Sequence, residues 1–270
     1  MSTAVRIALS AWCVVRLAAL PAAFQAPAAT EAASAKTWIG HEKEIEEYLK
    51  IAEVVKMSNT SVGVTKPRHT YLAAGGPVSE MAWKVLPPGR QGGFHESYKA
   101  EIAAYELDKV LKLEMVPPKV ERTIGKEVGV AVMWASPTKS FKDLGGVPKA
   151  PPQQSYNWSR QLIKAKMFHN LVGDLDPNLG NWLVDPAWNL ILIDQSRAFT
   201  TTKDLTHQLD HVDRPLWDRI TALTEAEVAA ALGPWLTPAE QKAIFDRRAE
   251  QQKAIDKLVK SKGEAAIFVK

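Results

Sequence analysis

An aspartate, an asparagine five residues on, and a second aspartate ending an apolar run are the residue types that phosphoryl transfer requires. They stand in GDLDPNLGNWLVD and LILIDQSR as Asp176, Asn181 and Asp194. In that chemistry one carboxylate orients or deprotonates the attacking hydroxyl, while an amide oxygen and a second carboxylate hold the divalent ions that bridge the phosphates. Asp and Asn oxygens suit hard ions such as Mg²⁺ or Mn²⁺. Asn181 precedes one short apolar run and Asp194 ends the next, so a hairpin around Pro186 would set both expected metal ligands at adjacent strand ends. Taken alone, Asp-x-x-x-x-Asn is common by chance, and Asn178, Gly180 and Asp185 read as turn formers. The following L-I-L-I-D makes the set more specific.

The first half of the chain holds the complementary parts. Lys84 sits in the middle of an apolar run, MAWKVL. Burying an ammonium there is costly without anionic partners, and a nucleotide's phosphates together with a helix glutamate would supply them. Glu101, in YKAEIAAYELD, is the expected glutamate, with Glu106 and Asp108 on the same helix as alternatives. The other reading of Lys84 is a solvent-facing lysine on an edge strand. Gly63 lies where a turn between strands would cover phosphates, and Lys66 and Arg68 could add contacts. An ordinary hairpin glycine with solvated charges fits that segment equally well. Met133 and Trp134 end a strand that would lead into a hinge and line a nucleotide-base pocket, or else they are core.

The elements that must position these residues follow from periodicity. His41 to Ala52 and Glu96 to Leu113 carry helical spacing, and Val116-Pro117-Pro118 ends the second. Between them VVKM, SVGVT, HTYL and MAWKVL are β-rich runs separated by Asn, Gly and Pro, the pattern of three antiparallel strands. Lys119 to Ile124 and Glu127 to Trp134 read as a hairpin turning at Gly125. Ala135 to Gln154 reads as loop. Trp158 to Val172, Thr221 to Leu232 and Pro238 to Lys260 read as helices, the last begun by Thr237 as N-cap with Pro238 at N1. The expected architecture is α+β and bilobal. A β-rich amino-terminal lobe with one helix (41–134) is joined by a hinge loop (135–155) to a mainly helical carboxy-terminal lobe (156–270).

Composition excludes other classes. The 270 residues are 46% hydrophobic and 24% charged, an ordinary globular balance and not that of a disordered or fibrous chain. A surplus of four basic residues, 34 against 30, is too small to argue for nucleic acid. Residues 1–28 have no acidic residue, an Arg6 start, an apolar core from Ile7 to Val15 and a small-residue Ala-Pro-Ala site, the pattern of a signal peptide. Arg16 interrupts the run below the length of a membrane span. Residues 29–40 read as a linker. The single cysteine, Cys13, lies in the leader, so the processed chain would hold no disulfide. Export to a periplasmic or secreted location is expected if the leader is genuine, and a cytoplasmic location otherwise.

At these residues the chain resembles the atypical kinases with a phosphoinositide-kinase-like catalytic core. It is most similar to the bacterial relatives of the Golgi secretory-pathway protein kinases. The resemblance rests on YKAEIAAYELDKVLKLEMVPPKVER, GDLDPNLGN and LILIDQSRAF, and runs from about Glu53 to Phe199. It implies a protein-kinase-like fold, ATP with Mg²⁺ or Mn²⁺ as cofactors, and a hydroxyl-bearing acceptor. It also implies Asp176 as catalytic base, Asn181 and Asp194 as metal ligands, Lys84 on phosphate and Glu101 paired with it. Pro177 stands where relatives carry a basic residue, and Gln195-Ser196 where ordinary protein kinases carry Phe-Gly. A nucleotide-binding scaffold without activity, or AMP transfer from a reversed nucleotide in the same cleft, are the alternatives.

Other candidates are weaker. His207 and His211, with Asp210 and Asp213, would mimic a metal cluster only on one helical turn, which Pro215 should break; a surface or core-rim place fits them better. Ser196 has no flanking glycine for a nucleophile elbow. Lys139, Lys142 and Lys149 read as a solvated loop that could steer an anionic substrate.

Overall fold

The computed structural model describes residues 32–60, 66–89, 95–176 and 178–270. The expected signal peptide, residues 1–28, and Gly63 lie outside the described residues.

The amino-terminal lobe begins with α1 (Glu42–Ile51), followed by β1 (Val54–Asn59), β2 (Arg68–Leu72) and β3 (Glu80–Lys84). Then come α2 (Tyr98–Leu111), β4 (Lys119–Ile124) and β5 (Glu127–Met133). The five strands form one antiparallel sheet in the order β1-β2-β3-β5-β4. Successive side chains on a strand point to opposite faces, and the apolar ones divide accordingly. Met81, Trp83, Ala131 and Met133 pack with Trp38, Ile45 and Leu49 on the α1 side. Val130 and Val132 pack with Tyr98 and Ile102 on the α2 side. Lys84 stands opposite Val130 in register, so it shares the α2 face, on a central strand and not an edge. Gly129 lets the backbones close up there, because a Cβ would lie 2.2 Å from the Lys84 carbonyl oxygen.

Two features of the amino-terminal lobe differ from expectation. Part of the stretch expected as linker (29–40) is core, since Ala35 and Trp38 are 0% and 1% exposed. A single tryptophan in a run of small polar residues has no period by which to betray burial. The same stretch reaches the other lobe, where the Ala35 N–H donates to Asp185 Oδ2 at 2.8 Å. Asp108, an alternative partner for Lys84, instead closes the turn after α2, where its carboxylate accepts from the backbone N–H groups of Glu114, Met115 and Val116.

The carboxy-terminal lobe opens with β6 (Lys139–Ser140) and α3 (Ser155–Val172). A 3₁₀ turn (Leu179–Asn181) leads into β7 (Trp182–Val184) and β8 (Leu190–Leu192), and β6 joins their hairpin as a third antiparallel strand. The stretch expected as plain loop thus supplies one edge of the small sheet flanked by Asn181 and Asp194. Then follow β9 (Val212–Asp213), α4 (Arg214–Ala222), α5 (Glu225–Leu232), α6 (Pro238–Lys262), α7 (Glu264–Ile267) and β10 (Phe268–Val269), which pairs parallel to β9. Pro215, expected as a breaker, starts α4 behind the Asp213 N-cap, because a proline in the first turn forfeits no intrahelical hydrogen bond. The helix expected from Thr221 to Leu232 is split, with Thr224 and Glu227 forming a capping box that begins α5.

Replacing Trp38 by alanine opens a cavity against α1 and the sheet. A loss of about 3–5 kcal/mol in unfolding free energy is expected, measured by urea denaturation. An effect within error of zero would show that the 32–40 stretch is not part of the core.

Candidate active site

Lys84 is the centre of the site. Its Nζ donates to Glu101 Oε1 at 2.5 Å and to Asp194 Oδ1 at 2.8 Å. Glu101 is on the buried side of α2 and is completely covered. The helix begins at this place because Ser97 caps it, its hydroxyl accepting from the Lys99 N–H, and the Ser97 N–H donates to the Ser196 carbonyl at 2.9 Å. Arg197 and Glu96 add an ion pair at 3.5 Å. The segment after Asp194 is therefore stitched to the start of α2.

Asp194 adopts φ 59, a left-handed conformation that aspartate tolerates better than most residues. The turn it makes also brings the Ser196 hydroxyl to its own Oδ1 at 3.0 Å. One residue earlier, the Ile193 N–H donates to the Asn181 carbonyl at 3.0 Å. The Asn181 side-chain NH₂ donates to the Asp176 carbonyl at 3.1 Å, which leaves its amide oxygen as the acceptor free to turn elsewhere. The Asp176 carboxylate accepts from the Asn178 side chain at 2.9 Å. Hydrogen bonds, bridged by the Ile193–Asp194 peptide link, thus connect Glu101 and Lys84 through Asp194 and Asn181 to Asp176 across both lobes.

The loop holding Asp176 is set from beneath. Gly173 ends α3 with φ 62, and a Cβ there would lie 2.9 Å from the Arg247 guanidinium. Arg247, buried on α6, donates to the carbonyls of Leu171, Thr200 and Thr202, each at 2.8 Å. Asp174 is buried, and its Oδ1 accepts from the Asp176 N–H at 3.0 Å.

The other expected site residues are distributed as follows. Met133 is turned away, in the cluster with Met81 and Trp83 on the α1 side, because Val130 and Val132 take the α2 face and alternation sends Met133 to the other. Of the two readings offered for Met133, base-pocket lining or core, its packing is that of a core residue. Trp134, the next residue, stacks on His69 with ring centroids 4.0 Å apart, and His69 is in register with Ala82 on the Lys84 face. Lys66 is exposed. Both terminal nitrogens of Arg68 are engaged by Glu127, at 2.8 and 3.1 Å. His207 meets the buried His169, at 3.3 Å between ring nitrogens, and residues 207–211 are not helical.

Three contributors had no signal in the sequence. Lys119, at the start of β4, is buried and its Nζ contacts Glu101 Oε2 and, at 2.5 Å, Gln195 Oε1. Gln195 also donates its N–H to Glu101 Oε2 at 3.2 Å. Lys119 stands opposite Val132 in register, on the face of the sheet that packs against α2. Asp174 is the third.

Burial alone would raise the Glu101 pKa, but Lys119 and then Lys84 hold it far below the usual carboxylate range. Burial pulls Lys84 down, and Asp194 with Glu101 outweighs it, so Lys84 stays protonated well beyond neutral pH. For Lys119 burial prevails over the attraction of Glu101, and its pKa is lowered. Asp174 is pushed up to about 7, first by burial and then by the nearby carboxylates.

Among the described residues no three His, Cys, Asp or Glu side chains converge as a complete metal cage. One carboxylate and one amide oxygen, completed by phosphate oxygens and water, are instead the donor set that fits a Mg²⁺-like ion. Asn181 and Asp194 would hold it.

The Asp174 carboxyl titrates at about 7 in the folded protein against an ordinary value of 3.8. The folded state binds this proton more tightly, so stability falls as pH rises between those values. Asp174→Asn keeps the acceptor for the Asp176 N–H and removes the ionisation. Its melting temperature should exceed that of the wild type above pH 7, with the gap narrowing towards about pH 4. Parallel melting curves across that range would exclude an ionising Asp174.

No family model matches the chain, and no curated protein matches it in sequence. Solved structures do match. The structure of hydra Fam20 with sugar superposes with a TM-score of 0.63 at 14% identity, covering 85% of this chain and 92% of that one. The Golgi casein kinase with Mn/ADP bound gives 0.62 at 14% identity, covering 86% and 79%. A further Golgi casein kinase structure gives 0.60 at 14% identity, covering 83% and 78%. The likeness spans both lobes, and this chain has the α+β bilobal kinase-like fold of these proteins.

Proposed function

We propose that the protein is an atypical kinase that transfers the γ-phosphoryl group of ATP to a hydroxyl acceptor on a protein, a lipid or a small molecule. We read it as having a phosphoinositide-kinase-like catalytic core. The observation that carries the proposal is the buried Lys84–Glu101 pair in contact with Asp194, joined through Asn181 to Asp176. In this reading Lys84 holds the phosphates, and Glu101 keeps the lysine extended across the cleft. Asp176 orients the acceptor hydroxyl and takes its proton as the oxygen attacks the γ-phosphorus. The bond from that phosphorus to the bridging oxygen breaks, and ADP leaves with the electron pair. Mg²⁺ or Mn²⁺, held by Asn181 and Asp194, would neutralise charge on the phosphates; Mn/ADP bound to the Golgi casein kinase supports the choice of ions. Trp134, on the Lys84 face, is the residue suited to stack on the base. Most of the rate enhancement in such a site comes from positioning and fixed charge.

ATP labelled separately at the α- and γ-phosphates tests the reading. Label from γ on an acceptor supports a kinase, label from α indicates AMP transfer, and neither indicates a binding protein. Asp176→Ala should keep nucleotide binding and lose transfer by about 100-fold or more. Asp194→Ala should abolish metal-dependent nucleotide binding, read by calorimetry. Persistence of that binding would remove Asp194 from the metal site. An exported enzyme is part of the proposal, and amino-terminal sequencing of the native protein reads whether residues 1–28 are removed.

A further inference from the structure

We infer that Lys119 is a positioning residue. It fixes Glu101 and the Asp194–Gln195 segment independently of Lys84, so that Lys84 is free to exchange Asp194 for the nucleotide's phosphates. The inference rests on the proposed kinase reading for its consequence and on the following geometry for its substance.

The two oxygens of Glu101 are divided. Oε1 accepts from Lys84 alone among the described contacts, and Oε2 accepts from Lys119 and from the Gln195 N–H. Lys119 has no exposed side-chain surface, whereas the side chain of Asp194, the other partner of Lys84, is 27% exposed. The Lys84–Asp194 pair, with one solvent-reached member, is thus the one open to rearrangement, and the Lys119–Glu101 pair is fully enclosed.

A site with Lys84 as sole partner of Glu101 would face a conflict. When Asp194 turns to a metal ion and Lys84 to a phosphate, the glutamate loses part of its counter-charge, and an under-compensated buried carboxylate is unfavourable. Lys119 removes the conflict by keeping one ammonium on Glu101 throughout. Its second contact, to the Gln195 side chain at 2.5 Å, fixes the residue next to Asp194. The Ser97 to Ser196 hydrogen bond and the Glu96–Arg197 pair extend the same tie to the start of α2. The first position of β4 is itself anchored, because the Met133 N–H of β5 donates to the Pro118 carbonyl at 2.9 Å. Helix α2, strand β4 and residues 194–197 therefore form one body whose cohesion does not require Lys84.

The test uses the full chain with Mn²⁺ and ADP, following bound Mn²⁺ by electron paramagnetic resonance and the amides of residues 98–104 by hydrogen exchange. Lys119→Met that remains folded by circular dichroism should lose about tenfold or more in Mn²⁺–ADP affinity, the scale seen when the support behind a metal ligand is removed. Its α2 amides should exchange faster. Lys84→Met should also weaken nucleotide binding, with α2 amides as protected as in the wild type. A merely structural Lys119 would lower the melting temperature and leave the affinity of the folded protein unchanged, and that result overturns the inference. So does loosening of α2 by Lys84→Met equal to that by Lys119→Met. If Lys119→Met does not fold, Gln195→Leu removes the second contact of the ammonium; faster α2 exchange supports the inference and unchanged exchange overturns it. A wild type that binds no Mn²⁺–ADP sinks the kinase reading, while the exchange comparison still decides the role of Lys119.

Discussion

A carboxylate with no exposed surface stays ionised inside a protein only if cations replace the water it has lost. Glu101 meets that condition with two lysines, one from β3 and one from β4, and much of the site is arranged around it. Helix α2 must present the carboxylate inward, so its opposite end is turned back sharply by Asp108. Strands β3 and β4, separated by β5, must each direct a long side chain to the same point, which a twisted sheet with strict alternation achieves. The chain after Asp194 must pass close enough for the Gln195 N–H to reach the same oxygen.

The second lobe solves a different problem, that of holding a polar loop still near the cleft. Three backbone carbonyls around the loop converge on the Arg247 guanidinium, and Gly173 leaves space for it. The loop's own hydrogen bonds run from Asp174 to the Asp176 N–H and from Asn181 to the Asp176 carbonyl. These bonds hold the Asp176 backbone, while its half-buried carboxylate meets only the exposed Asn178 side chain among the described contacts. In the proposed kinase reading, that division of rigid support and accessible carboxylate is what electrostatic catalysis asks of a protein.

The two lobes are joined by more than the hinge. Ala35 bonds to Asp185 in one lobe while Trp38 fills the core of the other. A short stretch ahead of α1 thereby contacts both lobes. Its composition gave no hint of this, because small polar residues with one tryptophan carry no periodic signal; burial there is imposed by what the sheet leaves uncovered.

Much of the arrangement was legible without coordinates. Alternation and helical spacing predicted the five amino-terminal strands, α1, α2, α3 and α6, since periodicity reports which face of an element meets the core. The candidate site residues stood out for a related reason: an aspartate, an asparagine and a lysine set against apolar runs are chemically conspicuous. Contacts between elements distant in sequence were not legible. That Lys119 lies 18 residues from Glu101 and 76 from Gln195 leaves no local pattern to find. The orientation of Met133 away from the cleft followed from which neighbours claimed the α2 face, and Pro215 started a helix because Asp213 was available to cap it. Residue type and local period determined which chemistry the chain could attempt. Only the tertiary structure decided which charged groups share one buried space, because that depends on which faces of distant segments pack together.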